Sequence, residues 1–102
     1  MVNKSLSVVV WDKTAYASLQ KIFEYISVDS PKNADKVRKE ILGIIRKLAD
    51  HSERYPPDKF KKNNPGNYRA FEKHSYRVAC RHTQKEIKIL RIRHVKKEPQ
   101  EY

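Results

Sequence analysis

Three apolar runs with strand-like alternation occupy the last third of the chain, and they constrain the fold more than any other feature. They cover residues 68–72, 75–82 and 87–95, and polar segments at Lys73-His74 and residues 83–86 separate them. Strands joined by such short turns pair with their neighbours in antiparallel orientation. The sequence therefore predicts a three-stranded antiparallel meander. Arginine occupies most of the positions that we expect to face outward: Arg69, Arg77, Arg81, Arg91 and Arg93.

The first half of the chain predicts one strand followed by two helices. Leu6–Trp11 is a β-branched apolar run, which we expect to be buried on both faces at its centre. From Lys13 onward the apolar residues recur with helical spacing, and Asp12 stands at the position of an N-cap. A second amphipathic stretch begins after Ser30, another N-cap residue, and ends near His51. The short connection predicts that the two helices form an antiparallel hairpin.

The order of these elements predicts an α+β fold. We expect β-α-α-β-β-β, with the helical hairpin packed on one face of a small, mainly antiparallel sheet and the other face left for a ligand. At this length, residues 1–102 are expected to form a single domain. A loop of about 16 residues joins the helices to the meander, and Pro65-Gly66 within it suits a type II turn. Loops of this length are usually functional or mobile.

Positive charge is concentrated in the C-terminal half. The chain has 23 Lys and Arg against 12 Asp and Glu, which gives a net charge of +11 and a pI near 9.9. Residues 1–51 carry nine basic and six acidic side chains, whereas residues 52–102 carry fourteen basic and six acidic ones. Because Lys and Arg neutralise phosphates and release counterions, this distribution indicates a polyanionic partner. The side chains predicted to bind nucleic acid are Lys59, Lys61, Lys62, Arg81, Lys96 and Lys97, although the loop lysines are equally compatible with a solvated loop.

The cysteine and histidine pattern points away from disulfide and metal chemistry. Cys80 has no second cysteine to pair with, and its place within a strand favours a buried apolar role. His51, His74 and His82 lack metal-ligand spacing, so neither a metal nor another cofactor is expected. No apolar run approaches the roughly 20 residues that cross a bilayer, and no signal-peptide core is present. We therefore expect a cytoplasmic protein.

Five short motifs lie in order along nearly the whole chain. The first strand runs into W-x-x-x-A at Trp11, and D-S-P-x-x-A opens the second helix at Asp29. Y-R-x-F begins at Tyr68, Y-R-V begins at Tyr76, and R-H-x-x-x-x-P-x-x-Y ends the sequence. In this order and at these distances the motifs resemble the RelE/ParE superfamily, the toxins of bacterial type II toxin–antitoxin pairs. The resemblance implies a cognate antitoxin, which we expect to be an acidic or amphipathic segment that covers grooves and basic surface.

The resemblance leaves two targets open. RelE-like members are described as ribosome-dependent endoribonucleases that cut mRNA in the A site by metal-independent attack of the 2′-hydroxyl, whereas ParE-like members inhibit DNA gyrase without catalysis. Both groups share the fold, so the fold cannot choose between them. We favour the endoribonuclease, an mRNA interferase with the ribosome and mRNA as partners, because His94 and Tyr102 lie together at the end of a basic sheet. Gyrase inhibition is the alternative, and an inert nucleic-acid-binding module is a third hypothesis.

An endoribonuclease of this kind needs a proton acceptor and cations around the scissile phosphate. Histidine has an ordinary pKa near neutrality, arginine binds phosphate oxygens with two parallel hydrogen bonds, and tyrosine can stack on an unpaired base. By resemblance to the superfamily, the predicted catalytic residues are Arg69, Arg77, Arg93, His94 and Tyr102.

Overall fold

The elements follow one another in the order predicted from the sequence. A computed structural model of the chain describes residues 8–51, 55–83 and 85–96. The elements are β1 (Val8–Trp11), α1 (Lys13–Asp29), α2 (Pro31–His51), β2 (Tyr68–Lys73), β3 (Tyr76–His82) and β4 (Glu86–His94). The α+β order β-α-α-β-β-β is therefore confirmed. The predicted start of the first strand at Leu6 lies outside the described residues.

Both helices begin at the predicted caps. The Asp12 carboxylate accepts a hydrogen bond from the backbone N–H of Thr14 at 3.1 Å, and the Ser30 hydroxyl oxygen accepts one from the backbone N–H of Asn33 at 3.0 Å. Each cap satisfies one of the N–H groups that the first helical turn leaves unpaired. Only Ser30 separates the two helices, which pack against each other as a hairpin. Neither helix, within the part of the chain described, combines the length and hydropathy of a membrane span.

The sheet is antiparallel except at one edge. Its strand order is β1-β4-β3-β2, and β2 pairs with β3, and β3 with β4, as the predicted meander. β1 pairs in parallel with the first half of β4, where Val8–Trp11 lie opposite Glu86–Ile89. Because β1 is an edge strand, Val8 is exposed and the other three residues are half-buried. The expectation of a strand buried on both faces is wrong, since a short apolar run looks alike at the edge and at the centre of a sheet.

One face of the sheet packs on the helices and builds the core. Residues paired across neighbouring strands share a face, so the registers assign each side chain to one side. The core residues of the sheet's helix face are Phe71, Tyr76, Val78, Cys80, Ile87, Ile89 and Ile92, and they pack with Ala15, Leu19, Val37, Ile41, Ile45 and Leu48. Each fully buried Ile or Leu contributes about 1.5–3 kcal/mol. This apolar layer therefore holds the hairpin on the sheet.

The opposite side of the sheet, which we call the open face, is mostly polar. The registers place on it Tyr68, Ala70, Glu72, Arg77, Ala79, Arg81, Glu86, Lys88, Arg91 and Arg93. Ala70 and Ala79 are buried but lie outside the core cluster, as expected for residues on this side. The loop from residue 55 to residue 67 runs beside β2, the strand at the second edge of the sheet.

Candidate functional site

The sheet separates His94, the predicted proton acceptor, from Arg77, one of the predicted phosphate ligands. Arg77 of β3 lies directly opposite Arg93 of β4, and both belong to the open face. His94 lies opposite Tyr76, a core residue, so His94 belongs to the helix face. A general base and the cations that stabilise a cleaved phosphate must surround one phosphorus atom. The structure does not bring His94 and Arg77 together in that way, although Arg93 and His94 line one groove.

His94 packs against an aromatic ring at the end of β4. The ring centroids of His94 and Tyr76 are 5.2 Å apart with an interplanar angle of 83°. The Nδ1 atom of His94 accepts a hydrogen bond from the backbone N–H of Lys96 at 3.0 Å, which orients the imidazole. Burial raises the pKa of the Tyr76 phenol, and the nearby Tyr25 adds to the shift. Tyr102 and Lys97, which were predicted to act beside His94, lie outside the described residues.

Arg69 holds the loop that precedes β2. Its Nε donates to the carbonyl oxygen of Gly66 at 2.9 Å, and its Nη1 donates to the carbonyl oxygen of Tyr55 at 2.6 Å. Its register partner is Cys80, so it belongs to the helix face and not to the outward set in which the sequence placed it. The contacts of Arg69 are those of a residue that fixes a loop.

Arg77 is enclosed by two carboxylates and an aromatic ring. Its Nη2 lies 2.9 Å from Oδ1 of Asp58, and its Nη1 lies 3.0 Å from Oε2 of Glu72. The guanidinium carbon lies 4.8 Å from the centroid of the Phe60 ring. The Arg77 side chain is 19% exposed and the Asp58 side chain 1% exposed. A guanidinium paired in this way is already neutralised, so it is a poor ligand for a phosphate while these contacts hold.

Asp58 organises the loop, and the sequence analysis did not identify it. Besides pairing with Arg77, its Oδ1 accepts a hydrogen bond from the backbone N–H of Phe60 at 3.0 Å, which closes an Asx-turn. Its own backbone N–H donates to the carbonyl oxygen of Tyr68 at 2.8 Å. The available signal was an aspartate directly after Pro56-Pro57, a turn-forming sequence. No local pattern, however, identifies a partner 19 residues later in the chain.

The chain bends at Gly66, where the sequence predicts a turn, and Asn64 ties this part of the loop to the sheet. Gly66 has a φ of +110°, in the left-handed region that favours glycine. The side-chain oxygen of Asn64 accepts hydrogen bonds from the backbone N–H of Gly66 at 2.8 Å and of Tyr68 at 3.2 Å. Its amide nitrogen donates to the Tyr68 carbonyl at 2.9 Å. The loop is thus anchored at Asp58 and again at Asn64.

Two of the three loop lysines lie over aromatic rings. The ammonium of Lys59 is 5.3 Å from the centroid of the Phe60 ring, and that of Lys61 is 4.7 Å from the centroid of the Tyr68 ring. Lys62 is exposed, and its carbonyl oxygen accepts a hydrogen bond from Nζ of Lys61 at 3.1 Å. The loop therefore presents its positive charge on a structured surface.

The open face carries two cross-strand pairs of like charge. Arg81 lies opposite Lys88, and Arg77 lies opposite Arg93. Arg91 is on the same face, between the two pairs along β4. Like charges placed directly opposite each other destabilise a sheet. The open face is therefore a concentrated basic surface and a candidate site for an anionic partner.

A groove of about 1210 Å³ lies between α1 and the second half of β4. Within the described residues, β1 pairs only with Glu86–Ile89, so β4 continues along this groove without β1 beside it. Its apolar lining comes from Ile22, Tyr25, Tyr76, Leu90 and Ile92. Its charged or titratable lining comes from Asp12, Lys21, Arg91, Arg93, His94 and Lys96. An apolar lining with a largely basic surround suits an acidic, amphipathic protein segment.

Thiol and metal chemistry find no support in the described part of the chain. Cys80 is fully buried in the core, and burial raises the pKa of its thiol to about 11. The thiolate, which is the reactive form, is therefore scarce at neutral pH. Among the described residues no group of three His, Cys, Asp or Glu side chains could hold a metal ion.

Comparison with known families identifies the chain. The model of the ParE toxin of the type II toxin–antitoxin system parDE matches residues 9–99, nearly the whole sequence. The chain belongs to this family. This ParE-family toxin is also similar to a chain in a solved structure of the chromosomal ParDE toxin–antitoxin system from P. aeruginosa, with a TM-score of 0.67 and 24% sequence identity. The match covers 87% of this chain and 96% of that chain. No curated protein sequence matches it significantly.

Membership of the ParE family confirms the predicted superfamily and corrects the predicted activity. The protein is a toxin of a type II toxin–antitoxin system, which implies a cognate antitoxin. ParE toxins are non-enzymatic inhibitors of DNA gyrase, so the prediction of an mRNA endoribonuclease is wrong. That prediction rested on His94 and Tyr102, and His94 instead packs against Tyr76 on the face away from Arg77. The ribosome and mRNA lose their support as partners together with the activity.

Proposed function

We propose that this ParE-family toxin arrests growth by inhibiting DNA gyrase without cleaving RNA. The family match over residues 9–99 is the observation that carries the proposal. The geometry agrees with it, because the helix-face His94 and the open-face Arg77 do not converge, and Arg77 is already paired with two carboxylates. Inhibition by binding needs no general base. Since gyrase acts on chromosomal DNA, the proposed place of action is the bacterial cytoplasm.

The groove between α1 and β4 is the proposed docking site of the antitoxin. Apolar side chains such as Tyr25 and Leu90 line it, and cations such as Lys21 and Lys96 surround them. The second half of β4 borders the groove without β1, so its backbone offers an edge to an extended segment. A segment that orders as it binds would bury the apolar lining and neutralise the cations around it.

Controlled expression in bacteria tests the proposed target. We expect growth arrest with induction of the DNA-damage response, and we expect the 5′ ends of cellular mRNAs, mapped by primer extension, to remain unchanged. Co-expression of the antitoxin should restore growth. Arrest accompanied by new mRNA 5′ ends and by no DNA-damage response would contradict gyrase inhibition.

A further inference from the structure

The open face carries a net positive charge even after its ion pairs are counted. Its cations come from two adjacent strands, β3 and β4, and its register positions include two carboxylates, Glu72 and Glu86. A third carboxylate, Asp58, reaches this face from the loop and pairs with Arg77. Five cations and three carboxylates leave a net charge of +2. Glu72 and Asp58 both contact Arg77, and Glu86 lies two residues before Lys88 on the same face of β4.

The two like-charge pairs of this face have different surroundings. Beside Arg77, the next strand supplies Glu72. Beside Arg81, the next strand supplies the uncharged Tyr68, and beside Lys88 the strand β1 supplies Val10. The row that crosses the sheet from Tyr68 through Arg81 and Lys88 to Val10 thus contains two cations and no carboxylate.

The pair of cations in this row is unfavourable in the free protein. Arg81 and Lys88 are direct cross-strand partners, an arrangement that repels. The Nε atom of Arg81 is also buried, and among the described residues it has no hydrogen-bond partner. A bound anion would reduce the repulsion, and a guanidinium turned toward it would gain acceptors for its N–H groups. An anionic ligand would relieve both features.

The aromatic rings next to the open face favour phosphate contact over base stacking. Single-stranded nucleic acids are held largely by bases that stack on aromatic side chains. Among the described residues, Tyr68 on this face and Phe60 beside it already carry cations, because Lys61 lies 4.7 Å from the Tyr68 centroid and Arg77 lies 4.8 Å from the Phe60 centroid. Duplex DNA needs no stacking platform, and it presents about one negative charge per 1.7 Å of its axis.

We propose that the open face binds the phosphate backbone of duplex DNA without sequence preference. The row of Arg81 and Lys88 makes the central contacts, and Arg91 and Arg93 lie beside it on β4. DNA binding is a property beyond the inhibition of gyrase and does not depend on it. It would hold the toxin on the DNA segment that gyrase handles, so that the enzyme meets the toxin at a raised local concentration.

The salt dependence of binding tests this proposal directly. Purified toxin, without antitoxin and without gyrase, is titrated into a short labelled DNA duplex of arbitrary sequence, and fluorescence anisotropy is measured at a series of salt concentrations. The logarithm of the binding constant should fall linearly with the logarithm of the salt concentration. In the double variant Arg81→Gln/Lys88→Gln the slope should become shallower by about two, because each lost phosphate contact removes about 0.9.

A second double variant controls for net charge. Lys32 and Lys47 are exposed residues of α2, which packs on the opposite side of the sheet. The variant Lys32→Gln/Lys47→Gln loses the same charge, but we expect its slope to change by well under one, since charges more than about 10 Å from the DNA are screened. Thermal unfolding of both variants establishes that they are folded, and removing the repulsion between Arg81 and Lys88 should not lower the midpoint.

Three outcomes would overturn the proposal. They are equal slopes for the open-face variant and the wild type, equal losses in the two double variants, and tighter binding of a single-stranded RNA of the same length than of the duplex. Gyrase supercoiling, measured separately, distinguishes the two claims. A toxin that binds DNA through Arg81 and Lys88 but leaves supercoiling intact supports this inference and refutes the proposed function. A toxin that inhibits supercoiling but does not bind DNA supports the proposed function and refutes this inference.

Discussion

Replacing Asp58 with alanine tests whether a buried ion pair holds the loop on the open face. The Asp58 side chain is 1% exposed, and its Oδ1 accepts hydrogen bonds from Nη2 of Arg77 at 2.9 Å and from the backbone N–H of Phe60 at 3.0 Å. Alanine removes both bonds. The Arg77 guanidinium, whose side chain is 19% exposed, then keeps Glu72 as the carboxylate that still compensates its charge.

The expected cost follows from the burial of the two partners. Removing one partner of a buried pair costs about 3–5 kcal/mol, and the lost Asx-turn hydrogen bond costs about 1 kcal/mol. Glu72 retains part of the compensation and Arg77 can turn toward water, so we expect the free energy of unfolding to fall by about 3 kcal/mol. Because 1 kcal/mol corresponds to about 4–8 °C in a domain of this size, the thermal midpoint should fall by about 12–24 °C.

Urea unfolding followed by circular dichroism measures the change, with Glu72→Gln as the matched control. The Glu72 side chain is 53% exposed, so its pair with Arg77 should be worth less than about 1 kcal/mol. If Asp58→Ala unfolds within about 0.5 kcal/mol of the wild type, or no more easily than Glu72→Gln, the buried pair does not hold the loop and the reasoning fails.

Three further predictions concern the groove, the acid side of the stability profile and the core. Tyr25→Glu should weaken antitoxin binding about tenfold or more in calorimetric titration, because Tyr25 lines the groove and is 75% exposed. Val28→Glu, on the same helix and 83% exposed, is the control. Equal antitoxin affinities of the two variants would refute groove docking. A hydrogen bond with His74 lowers the pKa of Glu40 below its ordinary 4.5, so the stability it contributes is present above that value and is lost as the pH falls through the lowered pKa. Glu40→Gln should therefore make the loss of stability below pH 4.5 less steep, and an unchanged acid profile would count against the His74 contact. Cys80 should resist alkylation in the native protein at pH 8 and react once the chain is unfolded, because burial raises its thiol pKa to about 11; rapid native labelling would contradict the packing of the core.

Local signals were sufficient to predict the elements and their order. The N-caps Asp12 and Ser30 and the helical spacing of apolar residues define α1 and α2 because a helix is stabilised by contacts a few residues apart. Strand alternation likewise located β2, β3 and β4. The turn between β2 and β3 was less evident, since it contains no glycine although His74 and Ser75 have φ values of +54° and +69°.

The face on which each residue of β4 lies could not be predicted from alternation. Strict alternation from Ile87 would put Arg91 and Arg93 on the core side, although both were expected to face outward and do so. An irregularity in the pairing, where Ala79 lies opposite Arg91 but Cys80 lies opposite Ile89, shifts the alternation and returns Ile92 to the core. The same shift puts His94 on the helix face. Such irregularities depend on how two strands meet, which neither strand encodes alone.

The predicted mRNA target was also wrong, and the reason is again physical. A histidine and a tyrosine near the end of a basic sheet have the right chemistry for RNA cleavage, but chemistry acts only where geometry brings groups to one atom. The enclosure of Arg77 depends on Asp58, 19 residues away in sequence. Fold alone does not choose a target, because the superfamily places different functions on one architecture. The family match is what favours gyrase over mRNA as the target.

The most direct test of the central claim is DNA supercoiling by purified gyrase in the presence of the purified toxin. The account predicts that supercoiling of relaxed plasmid is lost as toxin is added and returns when the antitoxin is supplied in excess. Programmed ribosomes treated with the same toxin preparation should keep their mRNA intact. Full gyrase activity at every toxin concentration, together with cleavage of ribosome-bound mRNA, would contradict the account.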